Sequence, residues 1–184
     1  MASSEALTPK NFRLVDASLN RIAEGLRYLE DVSRFLLNDI SLTRRLKTLR
    51  HFIVTSDWQF QKKLLESRDA ESDVGAGLDI QDRDSKKRNL MSSIVANTRR
   101  VQEGLRTLEE FSKVTRISTR LPPHELEQAR FDLYTIEKEL IARLMRQDKA
   151  KRIRGIYVII DSQSLKERNH LDVTRQVIRG GASI

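Results

Sequence analysis

An all-α fold is predicted here: a four-helix bundle made from two repeated helical hairpins, followed by the opening of a parallel α/β fold. Three observations predict it. The 184 residues include only seven Gly and three Pro, and 5% are aromatic, a composition that favours long helices over a many-stranded sheet. Apolar residues recur at spacings of three and four through several long segments, as amphipathic helices require. Finally, RIAEGLRYLEDVSR from Arg21 to Arg34 returns as RVQEGLRTLEEFSK from Arg100 to Lys113.

The elements follow in order. Residues 1–11 are expected to form a flexible leader. Leu19, Ile22, Leu26, Leu29, Val32 and Leu36 mark a first helix from Phe12 to about Leu37, broken by Asn38-Asp39. A second is expected from about Ser41 to Leu65 on Leu42, Leu46, Leu49 and Ile53, with Trp58 and Phe60 less regularly placed and Trp58 assigned to the core. The stretch SRDAESDVGAGLDIQDRDS, residues 67–85, lacks apolar periodicity and is rich in Asp. It reads as a loop longer than compact domains usually keep without a use for it. A third helix is expected from Lys86 to Ile117. LPPHE then ends one helix and starts another, because Pro suits a first turn. The fourth runs from Pro123 to Arg146 on Leu126, Ala129, Leu133, Ile136, Leu140 and Leu144.

After a basic linker the texture changes. RGIYVIID is a short continuous apolar run, predicted to be a buried strand ended by Asp161. A weakly amphipathic helix on Leu171, Val173, Val177 and Ile178 leads to GGASI, the start of a second strand. One strand and one helix cannot cover both faces of a sheet. The expected organisation is therefore a leader (1–11), a helical domain (12–150, repeats at about 12–66 and 86–147) and the stub of a larger domain (151–184).

The net charge of +8 first suggests nucleic acid. Its distribution argues otherwise. Residues 151–184 carry seven Lys/Arg and three Asp/Glu, and the first 150 carry 27 and 23. No aromatic residues interleave with the densest basic run, Arg143 to Arg154, as a base-stacking surface would need. A small anionic ligand accounts for the cations more economically. No apolar run approaches a membrane span. The first ten residues lack the pattern of a signal peptide, and the absence of Cys fits a reducing compartment. The expected location is the cytoplasm, with no nucleic-acid or membrane partner. His51, His124 and His170 lack metal-ligand spacing.

The repeat is the strongest internal signal. Residues 16–35 match 95–114 at nine of twenty positions, and Leu46 and Arg50 match Leu126 and Arg130 at an offset of 80. At about 100° per residue, Ile22, Leu26, Leu29 and Val32 form a buried stripe mirrored by Val101, Leu105, Leu108 and Phe111. Gly25 and Gly104 lie at its edge. A mid-helix Gly costs about 1 kcal/mol relative to Ala, so its repetition asks for close approach by another backbone or by a ligand. Arg21, Glu24, Tyr28 and Asp31 run along one polar flank, matched by Arg100, Glu103, Thr107 and Glu110. Arg27, Glu30, Arg106 and Glu109 are expected to point away from the core. Arg50 and Arg130 are expected either to face a pocket or to lie on solvated surface.

The duplicated RxxEGLRxLE[ED], the loop SRDAESDVGAG and the segment ANTRRVQEGLRTLEEF resemble the hydroxymethylpyrimidine phosphate kinase domain found fused ahead of thiamine-phosphate synthase. The tail RGIYVIIDSQ…LDVTRQVIRGGASI resembles the first strand, helix and second strand of the synthase's TIM barrel. The resemblance implies ATP and Mg²⁺ as cofactors and a small phosphorylated pyrimidine as substrate, with no synthase activity from the barrel stub. It also leaves open a homodimer, or a non-catalytic helical module that dimerises the synthase or channels its substrate.

The family's Asn-x-x-Arg-x-x-Glu is complete here as Asn97, Arg100 and Glu103, whereas Ser18 replaces Asn in the first copy. The loop motif falls on Arg68, Asp69, Asp73 and Gly75, and Arg88 matches the Arg that follows. No GxxxxGK[ST] is present, so an ATP site would be built another way. Arg68, Arg100 and Arg21 are candidate phosphate clamps, because Arg forks match phosphate oxygens. Asp69, Asp73, Glu103 and Glu24 are candidates to hold Mg²⁺ or accept a proton. Gly75 and its neighbours offer N–H groups for a phosphate cradle.

Overall fold

A computed structural model of the chain describes residues 8–53, 57–75, 89–115, 120–152, 155–161 and 163–182. The chain is mostly helical. The helices are α1 (Pro9–Asp31), which continues into a short π-helical turn (Val32–Leu36), α2 (Ile40–Ile53), α3 (Trp58–Glu66), α4 (Leu90–Val114), α5 (Pro123–Arg152) and α6 (His170–Arg179). Two compact units divide within α5, after Ile141.

Local chemistry sets the boundaries. Thr8 caps α1, which starts at Pro9 inside the expected leader. The predicted break at Asn38-Asp39 is present. Asn38 has φ 52°, a region Asn tolerates better than most residues. Asp39 caps α2 by accepting the Leu42 N–H at 3.0 Å. The second predicted helix is two helices, because Asp57 opens α3 by accepting the Phe60 N–H at 3.1 Å. Arg120 pairs with Asp57 and lies over the Phe60 ring. Phe60 is buried, but Trp58 is 61% exposed rather than in the core. Asn89 caps α4 at 2.8 Å to the Ser92 N–H, four residues later than expected. α5 starts at Pro123 as predicted and runs on to Arg152, so most of the basic run is helical rather than linker.

Within the first unit, α1 packs against α2, α3 and α4. The predicted stripes supply the core: Ile22, Leu26 and Leu29 are buried with Val101, Leu105 and Leu108, alongside Leu42, Leu46, Leu126 and Leu133. α5 is tied to its neighbours by Arg45–Glu139 at 2.8 Å and Gln102–Glu137 at 3.0 Å.

The repeated glycines sit where the two copies meet. A Cβ on Gly25 would collide with Val101 Cγ2 and lie 3.2 Å from the Asn97 carbonyl. A Cβ on Gly104 would lie 2.7 Å from Ile22 Cγ1 and 3.6 Å from the Ser18 carbonyl. With the offset of 79, these contacts are reciprocal: Ser18 corresponds to Asn97, Ile22 to Val101, and Gly25 to Gly104. α1 and α4 therefore run antiparallel in close contact about a local pseudo-two-fold. The approaching group is the other helix.

The wheel placed Glu30 and Glu109 pointing outward, and the structure corrects this. They are 5% and 2% exposed. Glu30 accepts from Arg50 Nε at 2.8 Å, and Glu109 accepts from Arg130 at 3.3 Å. Each hairpin thus buries the same Glu–Arg pair between its two helices. Both positions lie four residues after a core leucine, so they face inward, and burial is tolerated because each carboxylate meets a guanidinium. Arg50 and Arg130 face partners rather than a pocket or open solvent. Arg27 and Arg106 are exposed as expected, pairing with Asp31 and with Glu109 and Glu110.

In the second unit, residues 142–184, the run predicted to be a buried strand makes one isolated parallel bridge, Ile156 to Ala182, across α6. Ile156, Tyr157, Val158 and Ile159 are exposed, because nothing among the described residues covers them. Asn169 caps α6, and Leu165 is buried. Among the described residues, no helix is long and apolar enough to cross a membrane.

Candidate functional site

The predicted site residues fall into two groups on different parts of α1. The first surrounds the segment after α3. Ser67 and Arg68 donate their N–H groups back to the end of α3, which brings Arg68 against α1. There it grips Asp16 through two parallel bonds, Nε to Oδ2 at 2.7 Å and Nη2 to Oδ1 at 3.0 Å. Asp16 is 9% exposed. This fork-to-fork geometry is the strongest form such a pair takes, and bonding to Asp16 raises the Arg68 pKa further above its ordinary value.

One helical turn earlier on α1, Arg13 lies 3.7 Å from Asp69 and 3.5 Å from Asp73. The Asp69 carboxyl is held below the usual carboxylate range, first by the backbone and side chain of Ser72 and then by the charge of Arg13. Asp73 accepts the Gly75 N–H at 3.0 Å, and Asp69 accepts that of Ser72 at 3.0 Å. Those two N–H groups are therefore engaged within the loop rather than presented to a phosphate. The remainder of the predicted cradle and Arg88 lie outside the described residues.

Beside this cluster is a cleft of about 190 Å³ between α1, the end of α2 and α3. Asp16, Asn20, Gln61 and Arg68 give it polar edges, and Leu19, Ile53 and Leu64 give it an apolar floor. Among the described residues, α3, which forms one wall, has no counterpart in the second hairpin. The cleft therefore breaks the internal symmetry.

The second group flanks the α1–α4 crossing. The register of the glycine contacts places Arg21 level with Glu103 and Arg100 level with Glu24 across the antiparallel pair; all four are exposed. Asn97 accepts from Arg100 at 3.2 Å and donates to the Ser93 carbonyl at 2.9 Å. Glu24 is eleven residues from Arg13, roughly 16 Å along the helix, so it does not join Asp69 and Asp73. Among the described residues, no three acids or histidines converge as a metal cage.

Sequence reasoning missed Arg13 and Asp16. Neither is repeated in the second copy, where Ser92 and Val95 stand, so the repeat does not point to them. The available cue was the pair of charges beside Val15 on a helix otherwise read for leucines.

The family model that matches this chain is that of the ThiD2 family, over residues 13–139. The chain belongs to the ThiD2 family. The match spans α1 to α5 and includes both groups of candidate residues. Among curated proteins, this ThiD2-family chain is 44% identical over 114 residues to thiamine-phosphate synthase of Rhodopirellula baltica, covering 61% of the chain and 30% of that protein. The thiamine-phosphate synthase of Nostoc punctiforme is 33% identical over 136 residues, covering 74% and 37%. That of Prochlorococcus marinus subsp. pastoris is 30% identical over 190 residues, covering 100% and 51%. The chain thus spans about half or less of the length of these relatives. No solved structure matches it.

Proposed function

We propose that this ThiD2-family chain acts in thiamine biosynthesis as a helical kinase, transferring the γ-phosphoryl group of ATP to hydroxymethylpyrimidine phosphate. A phosphate oxygen of the substrate attacks the γ-phosphorus, the bond to the ADP oxygen breaks, and the products are the pyrimidine diphosphate and ADP. In this reading residues 12–150 form a four-helix bundle of two hairpins. Residues 151–184 would be the start of a synthase-type barrel, a reading that the isolated parallel bridge between Ile156 and Ala182 supports. The cytoplasm is the expected location.

The observation that carries the reading is the Arg68–Asp16 fork at the edge of the α1–α3 cleft, within the region matched to the family. The buried carboxylate holds the guanidinium in place, so its remaining N–H groups are oriented before a phosphate arrives. Transfer of this kind depends on positioning and charge neutralisation more than on covalent chemistry. The attacking group is itself a phosphate, largely ionised at neutral pH because its second pKa is about 6. A general base is therefore dispensable, and Asp69, Asp73 and Glu103 need not accept a proton.

Asp69 and Asp73 suit Mg²⁺, which commonly takes one or two carboxylates plus substrate phosphates and water. Bound there, the ion would supply neutralisation of phosphate charge. Arg13 holds the two carboxylates together on α1. Arg21 and Arg100 would bind a second anionic group at the helix crossing, and Arg88 would complete the set.

Replacing Arg68 with Ala should lower turnover about 100-fold or more, in line with the loss of one positioned electrostatic donor. Asp73→Ala should lower it comparably, with partial rescue by raised Mg²⁺. Steady-state assay of diphosphate formation checks both; full turnover in each variant would remove the loop from the site.

A further inference from the structure

The pseudo-two-fold that closes α1 on α4 leaves the other helix pair open. Between α2 and α5 lies a groove of about 530 Å³, within the range of small-molecule sites, and it shares no lining residue with the α1–α3 cleft. Its walls are corresponding residues of the two hairpins, related by the offset of 80, and they have diverged in a consistent direction. Leu49 on α2 corresponds to Ala129 on α5, so the second copy carries less bulk at that position of the groove. Phe52 corresponds to Asp132, and Arg45 corresponds to Glu125. The α2 wall is thereby cationic and aromatic, and the α5 wall is acidic.

The chemistry of the walls is specific. Arg45 is committed to Glu139 at 2.8 Å. Arg44 is exposed and also borders a neighbouring basic depression with Arg34 and Lys47, so the groove has a cationic end. Phe52, eight residues along α2 or roughly 12 Å by helix rise, gives the other end a partly exposed aromatic face able to stack on a planar ring. Opposite it, Asp132 already accepts from Gln128 at 3.0 Å and keeps further acceptor positions for an amino group.

We infer that the α2–α5 groove is a second ligand site, for a phosphorylated amino-substituted heteroaromatic compound. Its ring lies beside Phe52 and Asp132, and its phosphate lies at Arg44. The kinase reading supplies two molecules of this description, an adenine nucleotide and the aminopyrimidine phosphate, and the inference rests on that reading for the choice of probes.

Calorimetric titration with ADP and, separately, with hydroxymethylpyrimidine phosphate distinguishes them. One probe should bind the wild type and lose at least tenfold in affinity in both Arg44→Glu and Ala129→Leu. Arg44 is exposed, so its variant reports binding even if the fuller side chain at position 129 disturbs folding. Failure of both probes to bind at millimolar concentration, or equal affinity in wild type and Arg44→Glu, would overturn the assignment. Diphosphate formation alongside Arg44-independent binding would remove the groove and leave the kinase. Arg44-dependent binding without diphosphate formation would do the reverse.

Discussion

Replacing Glu109 with Ala should destabilise the chain by about 3 kcal/mol, the lower end of the range for breaking a buried ion pair from one side. The carboxylate is 2% exposed. One oxygen accepts from Arg106 at 2.7 Å and Lys113 at 3.0 Å, and the other accepts from Arg130 at 3.3 Å. Its removal leaves three cations converging, of which Arg106 and Lys113 can fall back on Glu110 while Arg130 is largely buried. Among the described residues Glu30 forms an ion pair with Arg50 alone, so Glu30→Ala should cost less.

The same site carries a pH signature. Burial pushes the Glu109 pKa up, but hydrogen bonds from Lys113 and Arg106 outweigh it and leave the pKa below the ordinary value of 4.5. A carboxylate held lower in the folded state than in the unfolded state adds stability above its unfolded pKa. That contribution disappears as pH falls through the folded value. Wild-type stability should therefore drop more steeply below about pH 4.5 than that of Glu109→Gln, as urea denaturation across that range would show. Parallel pH profiles would mean that the carboxylate contributes no such linkage.

Gly25→Ala should also destabilise the fold, against the trend of helix propensity. Ala favours a helix interior by about 1 kcal/mol over Gly, yet overpacking a tight contact costs about 1–3 kcal/mol. The added methyl meets Val101 Cγ2 and, at 3.2 Å, the Asn97 carbonyl, which belongs to the backbone and cannot rotate away. A net loss of up to about 2 kcal/mol is expected from the balance of those terms. Val101→Ala should cost less in the Gly25→Ala background than alone, since it clears part of the collision. A double-mutant cycle by chemical denaturation reads this coupling directly; a stabilised Gly25→Ala would show that the helices do not meet as described.

These two sites show what was legible in the sequence. The core stripes were readable because a leucine at a helical spacing has one physical use. The cost of Gly25 and Gly104 was readable too, and left two candidates for the approaching group. Only the structure assigns that role to the opposing helix. The expectation that Glu30 and Glu109 point outward rests on their charge, whereas their spacing from Leu26 and Leu105 places them inward. The division of α3 from α2 is signalled by the irregular placing of Trp58 and Phe60 and by Asp57, the cap that separates the two helices.

The cleft was least legible. Repetition led to residues that hold the two copies together: Gly25 with Gly104, and the Glu30–Arg50 and Glu109–Arg130 pairs. The features that make one cleft rather than two are the unrepeated ones: Arg13, Asp16 and α3. Arg68 and the two loop aspartates entered through the family resemblance, and the structure supplies what holds each of them against α1.

The central claim is that this ThiD2-family chain is a phosphotransferase. The most direct measurement is to incubate the purified chain with ATP, Mg²⁺ and hydroxymethylpyrimidine phosphate and follow the phosphorus signals by NMR. The kinase reading predicts coupled diphosphate resonances of the pyrimidine product growing in step with ADP, and absent when the pyrimidine is omitted. An unchanged pyrimidine monophosphate signal, with the chain folded and ATP intact, would contradict it.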